Sequence, residues 1–152
     1  MRILLIAALL GLGGCGEACR TCLASSPRNP VATAELEKIR LFDGERLPGS
    51  ARDVYYHEEC SVDCTYWLRF TVPDADARSF AARFHARPRK GYDPMPESGG
   101  GNEGPGFAWW PDKFPDGFEG DEVERDAART SALVIARDDK GNATVWVTES
   151  NK

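Results

Sequence analysis

The chain is predicted to fold as an α+β domain, in which a small antiparallel sheet from two β-hairpins packs on one main helix and a long Gly/Pro-rich loop intervenes. Three observations predict this. From Thr65 to Val72 the side chains alternate, with Tyr66, Leu68, Phe70 and Val72 on one side and Thr65, Trp67, Arg69 and Thr71 on the other, the period-two pattern of a half-buried strand. Immediately afterwards Ala77, Phe80, Ala81 and Phe84 recur at i, i+3, i+4 and i+7, one apolar stripe of a helix. Strand signals return at Ser131 to Arg137 and Ala143 to Thr148, joined by the polar turn Asp138-Asp139-Lys140-Gly141-Asn142. With 152 residues, 41% of them hydrophobic and 28% charged, the chain has material for one core. A net charge of −5 disfavours nucleic acid as a partner, since duplex affinity depends on neutralising phosphates with Lys and Arg.

At the N-terminus one charge, Arg2, precedes an apolar run from Ile3 to Leu12 and then Gly13-Gly14-Cys15. The run is shorter than the roughly 20 residues a bilayer-spanning helix needs. Its length and the small residues after it have the plan of a secretory signal, so residues 1–14 are expected to be removed. Leu12-Gly13-Gly14-Cys15 resembles the lipobox of bacterial lipoproteins. The resemblance implies diacylglycerol in thioether linkage on the Cys15 sulfur and cleavage between Gly14 and Cys15. It also implies a cell-envelope address on the extracytoplasmic side of a membrane, with fatty acids such as palmitate as the anchor. Gly16 after the cysteine, in place of Asp, resembles the outer-membrane-destined type where the host has an outer membrane.

Four cysteines remain after Cys15: Cys19, Cys22, Cys60 and Cys64. An even number in an oxidising compartment predicts two disulfides. Cys60 and Cys64 flank Ser61-Val62-Asp63 and face each other if those three residues form a hairpin loop, which leaves Cys19 for Cys22. Cross-pairing of the clusters would instead close a loop of about 40 residues, worth about 3 to 4 kcal/mol; spacing leaves the three connectivities open. Four thiolates would suit zinc, but an oxidising envelope argues against keeping them reduced, so no metal and no cofactor is expected. Leu23 after Cys22 lacks the His of a haem attachment site.

Residues 15–32 are expected to form a lipid-anchored tether, with Ser25-Ser26-Pro27 and Asn29-Pro30 as linker signals, and residues 33–152 a single domain. Thr33 to Phe42 is expected to be a short helix that partly buries Leu36, Ile39 and Leu41. Asp53 to Glu58 pairs with Thr65 to Val72 as the first hairpin. Asp74 is the expected N-cap of the main helix, with Asp76 in its first turn and Arg83 and Arg87 near its end, where the charges suit the helix dipole. Residues 88–120 contain fourteen Gly or Pro and are expected to be an irregular insertion. Its Gly99-Gly100-Gly101 lacks the Lys-Ser or Lys-Thr and following helix of a phosphate loop. The order hairpin, helix, Trp109-Trp110-Pro111 loop and terminal hairpin loosely resembles small uncharacterised bacterial envelope lipoproteins, a resemblance that implies no activity.

Residues for catalysis are sparse. The two histidines, His57 and His85, belong to no HExxH motif, and no GxSxG elbow occurs. His57 beside Glu58 has the groups for acid-base work, although a histidine on a strand face is commonly polar surface. The acidic run Asp116, Glu119, Asp121, Glu122, Glu124 and Asp126 lacks the spacing and glycine of a calcium loop and reads as a solvated face. Arg83, Arg87, Arg89 and Lys90 form a basic group suited to anions or to a solvated helix end. Trp109, Trp110 and Phe114 form the candidate binding surface. If strand-like, one tryptophan plugs the core and its neighbour faces out to stack on a glycan, a peptide or an envelope protein; the competing expectation is that both seal the core. These readings together give a lipid-anchored, non-catalytic binding or accessory module. The alternative is a small secreted or periplasmic hydrolase or thiol redox enzyme using His57 or Cys19 and Cys22.

Overall fold

In a computed structural model the described residues are 29–39, 41, 44–60, 64–95 and 106–151. The expected signal segment 1–14, Cys15, Cys19 and Cys22, most of the expected tether, Ser61-Val62-Asp63 and Gly99-Gly100-Gly101 lie outside them. A 3-10 turn, Thr33–Lys38, comes first. Strands β1 (Arg52–Cys60) and β2 (Cys64–Pro73) follow, then helix α1 (Asp74–Arg83). Strands β3 (Arg89–Lys90), β4 (Glu119–Asp126), β5 (Arg129–Arg137) and β6 (Asn142–Asn151) complete the fold.

Strands hold 44% of the structure and helices 16%, so the α+β expectation is corrected: the architecture is closer to all-β. Both anticipated hairpins exist, but they belong to one six-stranded antiparallel sheet of order β1-β2-β6-β5-β4-β3. β2 and β6 join the hairpins, pairing in unbroken register from Cys64 opposite Asn151 to Pro73 opposite Asn142. The two added strands lie in or beside sequence read as loop. β3 occupies the start of the supposed insertion, and β4 is the acidic run Glu119-Gly120-Asp121-Glu122-Val123-Glu124-Arg125-Asp126. Its only β-branched residue is Val123; hydrogen bonding to β5 along its length makes it a strand in spite of its composition.

One face of the sheet carries the core that the alternation predicts. Tyr66, Leu68, Phe70 and Val72 of β2 are buried with Leu133 and Ile135 of β5 and Val145 and Val147 of β6, beneath Ala77, Phe80, Ala81 and Phe84. Phe80 meets Phe70 edge-on at 5.2 Å and stacks on Phe84 at 5.5 Å. Ile39 and Leu41 are buried in this core, but the turn before them is 3-10 rather than a helix reaching Phe42. Val31 donates its backbone N–H to the Val54 carbonyl, which ties the segment before the 3-10 turn to β1.

Helix α1 starts one residue earlier than expected. Pro73 is the N-cap and makes no side-chain capping bond, so Asp74 belongs to the first turn. There its carboxylate is shared by Arg78 and Arg137, both at 2.5 Å. Its far end closes with His85 N–H donating to the Ala82 carbonyl and Ala86 N–H to the Ala81 carbonyl, the pair of bonds of a Schellman cap. His85 takes φ 59° to make them, the left-handed conformation usually left to glycine.

The opposite face is not left to solvent. Val134, Ala136 and Trp146 are buried there under Trp109, Trp110 and Phe114, with Tyr55, Trp67, Met95, Phe107 and Phe118 partly buried around them. Covered on both faces, β5 reads as a continuous apolar run and not as an alternation. The segment after β3 reaches the same face across Gly120. A Cβ there would collide with the Tyr92 carbonyl and the Pro94 ring. Among the described residues no helix is long and apolar enough to cross a membrane.

Candidate functional site

The outer face is built by strand register. Tyr55 lies opposite Arg69, Arg69 opposite Trp146, and Trp146 opposite Val134, so four strands contribute one row. The next row pairs His57 with Trp67 and Trp67 with Thr148. Over these rows folds the 106–118 segment. Trp110 N–H donates to the Phe107 carbonyl at 2.9 Å, which makes the Trp-Trp pair part of a turn. The strand rule of opposed neighbours therefore does not apply, and neither indole faces out: Trp109 and Trp110 are each 8% exposed and Phe114 5%. Trp109 stacks on Phe107 at 5.1 Å and on Tyr55 at 5.5 Å and meets Trp110 edge-on at 5.8 Å. Phe114 meets Trp146 edge-on at 5.3 Å.

Between this segment and the sheet a cleft of about 360 Å³ remains, lined by Tyr55, Arg69, Ala108, Trp109, Pro111 and Trp146. Two of its lining residues, Arg69 and Trp146, carry N–H groups without a matching acceptor among the described residues. The Arg69 guanidinium lies 5.3 Å from the centre of the Tyr55 ring, and no carboxylate among the described residues pairs with it. Arg137, by contrast, engages Asp74 at 2.5 Å and Glu119 at 3.0 Å. Trp146 is buried, and its indole N–H has no acceptor among the described residues. A buried donor left unmatched costs about 1 to 3 kcal/mol, so natural structures retain few.

Comparison with protein-family models, curated proteins and solved structures finds no match. The cleft's own chemistry is what points to a function. Donors and aromatic surface line it; among the described residues no carboxylate, thiol or imidazole does. That inventory suits holding an acceptor-bearing ligand.

The other sequence candidates are dispersed. His57 sits on the aromatic face, 4.6 Å from Phe107 edge-on and 5.7 Å from Trp67. Burial lowers its pKa below the ordinary imidazole value, against the raising influence of Glu59 and Glu58. Cys64 is disulfide-bonded, and its register partner across the hairpin is Cys60. The basic group is divided: Arg83 faces Glu45 at 3.5 Å, Arg89 covers the Tyr92 ring at 3.8 Å, and the Arg87 backbone N–H donates to Asp121 at 2.7 Å. The acidic run is spread along β4, where successive side chains take opposite faces, and no metal-binding group of three or more His, Cys, Asp or Glu exists among the described residues. Sequence reasoning found Trp109 and missed Tyr55, Arg69 and Trp146. Trp67 and Arg69 lie on the outer side of the half-buried strand, and a tryptophan on that side is the available signal that something covers it.

Proposed function

We propose that this chain is a lipid-anchored, non-catalytic binding module of the cell envelope, and that the cleft beneath the Trp109 turn is its recognition site. The observation that carries the binding role is the cleft itself, in which the Arg69 cation, unpaired with any carboxylate among the described residues, accompanies aromatic walls. Its volume is at the small end of the roughly 300 to 1,000 Å³ typical of ligand sites. The envelope address rests on the apolar leader and Leu12-Gly13-Gly14-Cys15, and the disulfide at Cys64 supports an oxidising compartment. Membrane lipid is then the partner of the Cys15 end, and an envelope protein or glycan is the candidate bearer of the ligand group.

Two measurements test this reading. Metabolic labelling with a fatty acid is expected to mark the wild type and not Cys15→Ala, with the variant released from the membrane fraction; equal labelling of both would refute the anchor. In spectra of the indole N–H groups, envelope-derived glycans, peptides and small metabolites are screened for one that moves Trp109 and Trp146 together. If none does, the cleft is a packing defect and the binding role fails.

A further inference from the structure

We infer that the cleft takes a small organic carboxylate, with its charged end at Arg69 and its apolar body against Trp109 and Pro111. The inference rests on the cleft being a binding site and adds the chemistry of what it holds. The guanidinium is planar and rigid and presents paired N–H donors that match a carboxylate's two oxygens. The Tyr55 ring near this guanidinium leaves its N–H groups for other partners, since a π-face engages the cation and not its hydrogens. The Trp146 indole N–H is itself enclosed, so this ring serves the cleft as wall and as a reporter of an occupant rather than as a donor to it.

Two other ligand classes fit less well. A phosphate carries nearly two negative charges, whereas the lining offers one cation in a chain whose net charge is already −5. A neutral sugar presents many hydroxyls that need acceptors as well as donors. Among the described residues the only side-chain acceptor in the lining is the Tyr55 hydroxyl, because Arg and Trp only donate and Ala and Pro side chains do neither. The volume excludes a bulky body, so the carboxylate belongs to a small molecule or to a chain terminus entering alone.

The full chain, in lipid nanodiscs and labelled with nitrogen-15, is titrated with benzoate and butyrate, with their amides benzamide and butyramide, and with inorganic phosphate. The Arg69 Nε–H and the Trp109 and Trp146 indole N–H signals are followed. Either carboxylate is expected to shift all three at millimolar concentration and to bind roughly 10-fold or more tightly than its amide, the worth of a charge-assisted bond. Arg69→Gln is expected to weaken the carboxylate by about the same factor and to leave the amide unchanged, while Arg69→Lys retains part of the difference. Amides that bind as tightly as the acids overturn the carboxylate assignment and leave the cleft as a binding site. Phosphate binding more tightly than either acid does the same. If no probe moves any of the three signals, the assignment is refuted, and the screen of envelope-derived glycans, peptides and metabolites decides whether the cleft binds anything.

Discussion

Replacing Trp109 with alanine tests whether the turn is part of the fold or an appendage to it. The ring is 8% exposed and, among the described residues, has Phe107, Tyr55 and Trp110 as aromatic neighbours, with centroids between 5.1 and 5.8 Å away. Truncating a buried tryptophan to alanine costs about 3 to 5 kcal/mol. The turn lies at the surface and can partly collapse into the space, which places the expected loss at the lower end, about 3 kcal/mol. That is a large share of the roughly 5 to 15 kcal/mol that holds a domain together. The assay is urea unfolding followed by far-ultraviolet circular dichroism, because removing an indole alters the fluorescence signal itself. The midpoint is expected to fall with an unchanged slope, and the melting temperature to drop by about 10 °C. Trp110→Ala and Phe114→Ala should lose comparable amounts. A loss below about 1 kcal/mol for all three, the range of ordinary surface changes, would falsify the second core.

Other expectations follow from single residues. His85→Gly should stabilise the protein by about 0.5 to 1 kcal/mol, since glycine takes the left-handed cap position without steric cost; an unchanged or lower urea midpoint would show that the histidine side chain compensates. Gly120→Ala should cost about 1 to 3 kcal/mol and speed amide exchange at Tyr92 and Met95, because the added methyl meets backbone and a proline ring; unchanged exchange would contradict the close approach. Since His57 titrates lower when folded than when unfolded, its contribution should be complete above about pH 6.5 and be lost as pH falls through its folded pKa. His57→Phe should flatten that part of the stability profile, and a profile identical to wild type would remove the histidine from the account. Peptide mapping without reductant should join the segments carrying Cys60 and Cys64, as their register suggests; a link from Cys64 to the N-terminal cysteines would overturn the local pairing.

Where a segment's own side chains decide its structure, sequence and structure agree. The alternation in β2, the stripe Ala77, Phe80, Ala81 and Phe84, and the Asp138 to Asn142 turn all appear where their patterns place them. In that turn Asp138 accepts the backbone N–H groups of Lys140 and Asn142, an interaction within five residues. What was not legible depends on partners distant along the chain. β4 becomes a strand because β5 offers it a hydrogen-bonding edge, and nothing in its charged sequence announces that. The cleft joins Tyr55, Arg69, Trp109 and Trp146, four residues spread over ninety positions and aligned only by the pairing of β1, β2 and β6. The orientation of the tryptophans failed for a local reason: period two holds for extended backbone, and the bond from Trp110 N–H to the Phe107 carbonyl makes a turn there.

The outer border of β4 carries a further consequence. β3 covers it only at Glu119 and Gly120, so the backbone from Asp121 onward meets no neighbouring strand among the described residues. Such a margin would ordinarily template the stacking of one molecule on the next. Here Asp121, Glu122 and Glu124 line it, and a second copy arriving in antiparallel alignment would set carboxylates against carboxylates. The low hydrophobicity that hid this strand from sequence reading thus also keeps molecules crowded together from growing into fibrils.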